Sequence, residues 1–345
     1  MVRDSGGTET VNHQELHDDA IIIDATCPLM ESRDHIRWYL EGGMTAAAPT
    51  VEGRADADSA LKAIAAWLQY ISERRDDLVL VKGTGDIASA KATGKLGIIL
   101  HFQGADPLEG DLNLVNAFKQ LGVGMIQLTY NVKNRLGDGC EERTDCGLSR
   151  FGLQVIERLN EIGIVVDCAH TGYRTSLDAI AASTKPVVCS HGNARAVWES
   201  DRNLPDDLIT SIAGTGGLVG VNGFPAFVGG ATRPTLDDFI DHIDYIVNLV
   251  GVEHVGIAMD YFPGQAGVAA PAAARRRYDE RVSAGTWDVG NYPPPPYHYP
   301  QGIETPQGFS NLTVALLKRG YDETEVRAIL GLNWMRVFKA VWDSQ

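Results

Sequence analysis

Two histidines in the sequence follow two apolar runs at nearly the same spacing. Ile164–Cys168 precedes His170 and Val187–Cys189 precedes His191, and a segment with helical periodicity, Tyr173–Ser183, lies between the two runs. This order predicts a βαβ unit whose parallel strands end side by side. Imidazoles at two neighbouring strand ends could bind one metal ion, or they could simply cap the strands through hydrogen bonds to backbone carbonyls. The spacing alone does not separate these two interpretations.

Eight apolar runs of strand length occur along the chain, and most are separated by segments with helical periodicity. The runs are Ile21–Asp24, Met44–Ala48, Gly97–Phe102, Met125–Thr129, Ile164–Cys168, Val187–Ser190, Leu218–Asn222 and Val255–Met259. Strands that alternate with helices predict parallel pairing, and eight such units predict a closed (β/α)8 TIM barrel. A doubly wound open sheet is the alternative, although it would bring the two histidines together less readily.

The predicted helices follow from apolar residues that recur on one face. These faces are Leu61, Ile64, Ala65, Leu68 and Ile71 in one helix, and Phe151, Val155, Ile156, Leu159 and Ile162 in another. Gly163 is placed to end the second of these helices, since glycine readily takes the left-handed conformation at helix ends. Further helices are predicted at about Thr235–Val250, Asn311–Arg319 and Asp322–Trp342, and the polar first twenty residues are predicted to form a short lead-in.

The sequence changes character after the eighth predicted strand. Residues 263–306, here called the lid segment, contain Ala-rich, Arg-rich and Pro-rich pieces, including NYPPPPYHYP at 291–300. Because this segment leaves the carboxyl end of the last strand, we expect it to cover the barrel mouth; a disordered surface insertion is the alternative. No other boundary is visible, so the sequence predicts one domain over residues 1–345, with the long Pro-rich loop after strand 8.

Charge and composition exclude several classes of partner. The chain has 30 basic and 45 acidic residues, a net charge of −15, and no basic stripe beyond the short run Arg275–Arg277. We therefore expect no nucleic-acid partner and no membrane partner. The sequence lacks an apolar membrane span, and its first residues lack a signal core, which predicts a cytoplasmic location. Among the five cysteines, Cys140 and Cys146 share a predicted loop and could pair, but the odd count favours a reducing compartment.

Six stretches of the sequence, in order, carry a resemblance to a known family. They are FKQLGVGMIQLTYNVKN, CGLSRFGLQVIERLNEIGIVVDCAHTGY, KPVVCSHGNARAV, DRNLPDD, HVGIAMDYFPG and LKRGYDETEVRAILGLNWMRVF. Together, from about Ile21 to Phe338, the chain resembles the membrane (renal) dipeptidase family, zinc hydrolases of the amidohydrolase superfamily. The resemblance implies a TIM barrel, hydrolysis of an amide bond in a small carboxylate-bearing substrate, and a possible homodimer.

The resemblance also assigns roles to particular residues. His170 and His191 fall on the two histidines of the family's second metal ion. Asp260 falls on an aspartate that manages protons, and it is also a possible metal ligand. Arg202 falls on an arginine that holds the substrate carboxylate; an ordinary surface ion pair with Asp206 or Asp207 is the alternative.

Two neighbouring residues are candidates for contact with the substrate. Tyr130, in LTYN, replaces a family histidine that polarises the scissile carbonyl, and its hydroxyl could still donate to an oxyanion. We predict that Tyr130 is catalytic and that Tyr130 and Asn131 both bind substrate.

The sequence departs from the family at the remaining metal ligands. Thr26 and Pro28 stand where the family has a His-x-Asp pair, and Gln103 replaces the glutamate that bridges two zinc ions. Proline offers no ligand, and a neutral amide or hydroxyl is a poor zinc donor. We therefore expect one divalent ion, zinc, held by His170 and His191 and completed by Gln103, Asp260 or water. Cys27 is a weaker thiolate candidate that strand alternation points away, and His101 is expected to be a packed core histidine.

Three functions remain open from the sequence. The leading hypothesis is a dipeptidase-like metal-dependent hydrolase that uses one ion and acts on a dipeptide or N-acyl amino acid. The second keeps the barrel but changes the reaction to that of a lyase, decarboxylase or isomerase. The third is a non-catalytic relative that binds a small carboxylate or a partner protein.

Overall fold

The strands of the structure, a computed structural model that describes residues 12–230 and 233–343, are short and pair in parallel. They are β1 (Ile23–Asp24), β2 (Ala46–Ala47), β3 (Thr50–Glu52), β4 (Leu78–Leu80), β5 (Leu96–Ile98), β6 (Leu100–Phe102), β7 (Val123–Gln127), β8 (Val165–Asp167), β9 (Val187–Val188), β10 (Val219–Val221) and β11 (Val255–Ile257). β2 and β3 are successive pieces of one barrel strand, and β5 and β6 are pieces of the next. Each of the eight apolar runs in the sequence overlaps a barrel strand.

Backbone hydrogen bonds close these strands into a ring. Parallel ladders join β1 to β2, β2 to β5, β3 to β6, and then β6, β7, β8 and β9 in order, while β10 pairs with β11. Cys189 N donates to Leu218 O at 3.1 Å, which joins β9 to β10. Ala25 N donates to Ile257 O at 3.2 Å, which joins β11 back to β1. The predicted (β/α)8 barrel is therefore confirmed, and β4 is an additional strand that pairs with β5.

Helices connect and surround the strands. They are α1 (His13–Asp19), α2 (Ile36–Glu41), α3 (Ala57–Glu73), α4 (Thr84–Thr93), α5 (Leu112–Leu121), α6 (Arg150–Ile162), α7 (Tyr173–Ala182), α8 (Asp206–Gly214), α9 (Pro225–Val228), α10 (Leu236–Val250), α11 (Pro271–Ser283), α12 (Ser310–Arg319), α13 (Glu323–Arg327) and α14 (Asn333–Trp342). No helix in the described residues is long and apolar enough to span a membrane. Of the predicted lead-in, α1 is described and residues 1–11 lie outside the described range.

The ends of α6 and α10 follow from local sequence. The Ser149 side chain accepts a hydrogen bond from Gly152 N at the start of α6, and Gly163, with φ of 71°, ends it as predicted. Thr235 and Asp238 form a capping box at the start of α10. These caps fix where the two helices begin and end, and so how they lie against the barrel.

Two helix predictions need correction. Leu61 and Ala65 do not lie on the buried face of α3; Leu61 is 50% exposed, Ala65 is also exposed, and Trp67 is buried instead. An indole covers more apolar surface than a leucine, so the helix turns the tryptophan inward. The single helix predicted at Asp322–Trp342 is interrupted by a π-helical segment, Ala328–Leu332, where Gly331 lies so close to the Ile21 carbonyl that a Cβ would be 2.3 Å from its oxygen.

The lid segment is not a continuous extended loop. It contains α11, and aromatic side chains within this helix and after it are buried: Tyr278, Trp287, Tyr292, Tyr297 and Tyr299. They pack with Phe224, Phe227 and Phe262 from the barrel side of the mouth. The proline-rich sequence is therefore fixed by aromatic contacts that its composition did not indicate.

Candidate active site

The backbone is unusual where barrel strands β7, β8 and β11 end. Four non-glycine residues of the described chain have positive φ, and three of them are Asn131 (59°), His170 (58°) and Asp260 (54°). A side chain in this conformation costs on the order of 1–3 kcal/mol and persists only where the surrounding structure imposes it. The fold therefore imposes the direction of three side chains that the sequence singles out as functional.

His170 and His191 are in direct contact, with their Nε2 atoms 2.8 Å apart. The amide oxygen of Asn131 lies 2.5 Å from His170 Nδ1, and because this oxygen can only accept, Nδ1 carries the proton. His191 Nδ1 is 2.7 Å from Ser190 Oγ and 3.2 Å from Thr26 Oγ1. Each ring is thus held through Nδ1, which leaves Nε2 directed at the other ring.

Both imidazoles are kept neutral. Burial, followed by the nearby Arg202 cation, lowers the pKa of His170 and the pKa of His191 well below the usual histidine range. A neutral imidazole has a free lone pair, which is the form that binds a metal ion.

Asp167 ties the two histidine-bearing loops together. Its Oδ1 accepts from Ala169 N at 2.9 Å and from Ser190 N at 2.7 Å, the residues that precede His170 and His191. Its Oδ2 is 3.2 Å from Nε2 of the fully buried His101. Burial opposes ionisation, yet these contacts hold the pKa of Asp167 below its usual value. His101 is therefore a core histidine, as predicted, and it supports the site from behind.

Asp260 faces a small cavity at the barrel mouth. The cavity has a volume of about 30 Å³ and is lined by Pro28, Gln103, Tyr130, His170, Phe224, Asp260, Phe262, Arg281, Trp287 and Tyr292. Burial raises the pKa of Asp260 to about 7, although Arg202 opposes this shift. Asn222 Nδ2 lies 3.5 Å from one carboxyl oxygen. The carboxyl can therefore gain or lose a proton near neutral pH.

Tyr130 is placed between His170 and the lid segment. Its ring stacks on the His170 imidazole, with centroids 4.1 Å apart. Its hydroxyl accepts a hydrogen bond from Trp287 Nε1 at 3.0 Å. Because the hydroxyl oxygen accepts from the indole, the hydroxyl proton is free to be donated to a group in the cavity.

Arg202 is buried and not part of a surface ion pair. Its Nε donates to the hydroxyl of Tyr292 at 3.1 Å, and one terminal nitrogen has no hydrogen-bond partner within the described residues. The alternative partners bond elsewhere: Asp206 accepts from Tyr245, and Asp207 from Tyr173. The guanidinium therefore keeps a free donor for an anionic group.

The lid segment covers this site through specific contacts. Tyr292 stacks on Trp287 at 4.3 Å, and its hydroxyl also accepts from Asn131 Nδ2 at 3.2 Å. The same Asn131 amide donates to Thr286 O at 2.9 Å. Asn131 thus bonds to His170 on one side and to the lid segment on the other. Substrate binding by Asn131 stays a prediction. In this structure the contacts just described occupy its side chain.

The other minor candidates lie apart from the chemistry. Cys27 is buried and its Sγ donates to the Asp24 carbonyl, so its side chain points away from the histidines. Cys140 and Cys146 are both free thiols. Five residues at the site were not predicted from the sequence: Asp167, Asn222, Arg281, Trp287 and Tyr292. An aspartate within the apolar run IVVDCAH was the available signal for the first of these, whereas the lid residues carry no local signal.

The barrel and its site at the carboxyl ends of the strands define an amidohydrolase-type α/β barrel. A crystal structure of an amidohydrolase from Pseudomonas aeruginosa superposes with a TM-score of 0.88, at 36% identity, over 97% of this chain and all of that chain. The probable dipeptidase PvdM of the same organism shares the fold, with a TM-score of 0.79, 20% identity, and coverage of 96% and 98%.

Sequence comparison identifies the family within this class. The model of the membrane dipeptidase family, peptidase family M19, matches residues 39–272 and 294–345, and the chain belongs to this family. An uncharacterized dipeptidase of Schizosaccharomyces pombe is 29% identical over 279 residues, which are 79% of this chain and 59% of that protein. The chain thus spans about three fifths of this relative's length. The resemblance read from the sequence is confirmed.

The side chains present fit one metal ion better than two. His170 and His191 share with metal-binding histidines a hydrogen-bonded Nδ1, and their Nε2 atoms face each other. In residues 12–230 and 233–343, no three His, Cys, Asp or Glu side chains are grouped as metal ligands. Pro28 and Gln103 line the cavity and Thr26 contacts His191, so the three replaced positions lie at the site but contribute no carboxylate. The set fits a single ion held by two imidazoles and does not fit a two-ion centre.

Proposed function

We propose that the protein is a dipeptidase-like hydrolase that cleaves an amide bond in a small carboxylate-bearing substrate with one divalent ion. The observation that carries the proposal is the contact of His170 and His191 Nε2 atoms at 2.8 Å, with His170 lining the same cavity as Asp260. Membership of a dipeptidase family supports the reaction class.

Asp260 is proposed to move the proton. As the carboxylate it takes a proton from the attacking water while the water oxygen bonds to the carbonyl carbon. As the acid it returns that proton to the amide nitrogen when the carbon–nitrogen bond breaks. A pKa of about 7 suits both steps, because neither form is strongly favoured at neutral pH.

Tyr130 is proposed to stabilise the negative charge that develops on the carbonyl oxygen. Its hydroxyl accepts from Trp287 and keeps its own proton available. One donor of this kind can contribute about 3 kcal/mol to the transition state.

Arg202 is proposed to bind the substrate carboxylate through the guanidinium nitrogen that has no partner in the described residues. Tyr292 now occupies Nε, and a carboxylate could replace this neutral hydroxyl with a stronger, charge-assisted bond.

His170 and His191 are proposed to hold the ion, which we take to be Zn²⁺, with Gln103 as a weak ligand and Asp260 as a possible one. When bound, the ion supplies Lewis acidity at the reacting carbonyl. A homodimer, a cytoplasmic location and the absence of nucleic-acid and membrane partners stay predictions.

The test combines metal analysis with a substrate panel. We expect at most one Zn²⁺ per chain after dialysis, and measurable turnover of some dipeptides or N-acyl amino acids when Zn²⁺, Mn²⁺ or Fe²⁺ is added. Asp260→Asn should lower kcat by at least about 100-fold, the usual scale of acid–base catalysis. A stoichiometry near two that falls on mutation of Gln103, or fast turnover that survives Asp260→Asn, would contradict the proposal.

The second candidate is a changed reaction on the same site, that of a lyase, decarboxylase or isomerase. The replacement of one histidine ligand by Thr26, and of two acidic ligands by Pro28 and Gln103, favours it. No hydrolysis across the panel, together with carboxylate binding that depends on Arg202, would support this candidate instead.

A further inference from the structure

The lid segment brings a cation to the cavity. Arg281 lies near the carboxyl end of α11 and lines the cavity together with Asp260 and His170. Its guanidinium lies over the Trp287 ring at 5.1 Å and the Phe262 ring at 5.7 Å. Within residues 12–230 and 233–343, no carboxylate forms an ion pair with it, although Asp260 of the same cavity is near enough to interact with it electrostatically. The charge is thus held in place by aromatic rings and not by an ion pair.

Other charges around the mouth increase this positive character. Arg202 is buried and bonds to Tyr292, which lines the same cavity, and Arg54 lies over the Tyr130 ring at 4.9 Å. Asp260 is the one carboxyl among the residues that line the cavity, and the guanidinium groups of Arg281, Arg202 and Arg54 outnumber it. The mouth is therefore cationic in a protein whose net charge is −15.

Two features mark Arg281 as a determinant of specificity. The family model skips residues 273–293, so Arg281, Trp287 and Tyr292 all belong to a part of the lid that the family pattern does not describe. The replaced positions, Pro28 and Gln103, line the same cavity as neutral residues. Cations that outnumber the carboxyls at a partly buried site favour binding of an anion, because each interaction is screened less than in water.

We propose that Arg281 binds a second anionic group of the substrate, so that the enzyme acts on amides with two carboxylates, such as dipeptides or N-acyl amino acids containing Asp or Glu. Arg202 binds one carboxylate and Arg281 the other. This inference rests on the proposed function and specifies its substrate class. The alternative is that Arg281 only holds the lid segment in place through its contacts with aromatic rings. At an exposed site such contacts change the equilibrium between the closed and open lid segment by about five-fold.

The experiment compares acidic substrates with their neutral isosteres. We would measure kcat/KM for Ala-Glu against Ala-Gln and for N-acetylglutamate against N-acetylglutamine, with both stereoisomers of each second residue. The native enzyme should prefer the acidic member by about 10- to 100-fold, the effect of one charged hydrogen bond. Arg281→Gln should bring this ratio close to one, mainly through KM, and Arg281→Lys should restore part of it.

Arg276→Gln is the matched control, because Arg276 is an exposed arginine on the same helix that does not line the cavity. Its acidic-to-neutral ratio should equal that of the native enzyme. An unchanged ratio in Arg281→Gln, or a native preference for the neutral member, would overturn the proposal.

A binding measurement separates this proposal from the proposed function. Glutarate should bind the native protein at least tenfold more tightly than butyrate, and Arg281→Gln should lose this difference. If no amide is hydrolysed but the glutarate preference holds, the hydrolase assignment fails and the dianion site stands. If amides are hydrolysed without any glutarate preference, the hydrolase assignment stands and the proposed dianion site fails. Circular dichroism checks that the Arg281→Gln variant is folded. If the variant is not folded, the comparison of glutarate with butyrate in the native protein decides whether a second anionic group is bound.

Discussion

Asp167 connects the two histidines without touching either of them. One of its oxygens accepts the backbone N–H groups of Ala169 and Ser190, so a single carboxylate sets the distance between two strand ends. The other oxygen contacts His101. All of these atoms are buried, where a lost partner leaves donors that water cannot reach.

We expect Asp167→Ala to lower the free energy of unfolding by about 3 kcal/mol, because it removes one member of a buried, charged hydrogen-bond network. The increase in Tm on adding Zn²⁺ should shrink as well, since the histidines lose their support. Urea unfolding and thermal melts with and without Zn²⁺ measure both effects. Asp167→Asn keeps an oxygen that can accept from the backbone N–H groups of Ala169 and Ser190. It should therefore lose less free energy of unfolding and less of the Zn²⁺-induced rise in Tm. A full Zn²⁺ response in Asp167→Ala would show that the carboxylate does not position the histidines.

Asp24 is a second buried carboxyl at the residue scale. Its Oδ1 accepts from Met259 N at 2.9 Å, while Oδ2 has no partner in the described residues. Burial raises its pKa to about 7, although the hydrogen bond from Met259 opposes the shift. The titratable groups that face it are Cys27, Tyr39, Tyr261, Tyr299 and Asp260. A cation among them would favour ionisation, and there is none.

The raised pKa makes stability depend on pH. Below about pH 4 the Asp24 carboxyl is protonated in both the folded and the unfolded protein, and its contribution to the free energy of unfolding is fully present. Between about pH 4 and pH 7 the carboxyl ionises in the unfolded chain but stays protonated in the folded protein, so this contribution is lost. Asp24→Asn should remove this loss, so its stability relative to the native protein should rise by about 3 kcal/mol between pH 5 and 8. Urea unfolding at several pH values measures the difference. The exposed Asp34→Asn serves as control, and an identical pH slope in Asp24→Asn and the native protein would contradict the expectation.

At the scale of elements, several polar contacts attach the lid segment to the barrel near the site, including Trp287 to Tyr130 and Asn131 to Thr286. The hydroxyl of Tyr292 accepts from both Arg202 and Asn131, whereas the bidentate pair of Arg277 and Glu31 lies on the exposed surface, where ion pairs contribute little. The Tyr292 hydroxyl is therefore the contact that joins the lid segment to two functional side chains at once.

We expect Tyr292→Phe to open the lid segment more often, because two buried donors lose their acceptor while the stacking on Trp287 is retained. Trypsin can report this, since α11 carries several arginines, and cleavage there should become about tenfold faster. Tyr297→Phe is the control, because the Tyr297 hydroxyl donates to Pro293 within the lid segment itself. Equal cleavage rates in Tyr292→Phe and the native protein would mean that this hydroxyl does not hold the lid closed.

For the whole molecule, the sequence predicted the barrel because each barrel strand lies in an apolar run bounded by turn residues. β4 was not predicted, since its three residues, Leu78–Leu80, follow charged residues and form too short a pattern. His170, His191 and Asp260 were predictable because they stand next to strand ends. Trp287 and Tyr292 were not, since contacts with residues more than 150 positions away or across the mouth place them at the site. The periodicity of neighbouring residues does not predict contacts between residues that are far apart in the sequence.

The closed cavity has a kinetic consequence. A space of about 30 Å³ holds roughly one water molecule and no dipeptide. A substrate of the proposed size would therefore need the cover to open once for its entry and once for the escape of the products. The frequency of these openings would then set a ceiling on kcat that no improvement in bond cleavage could exceed.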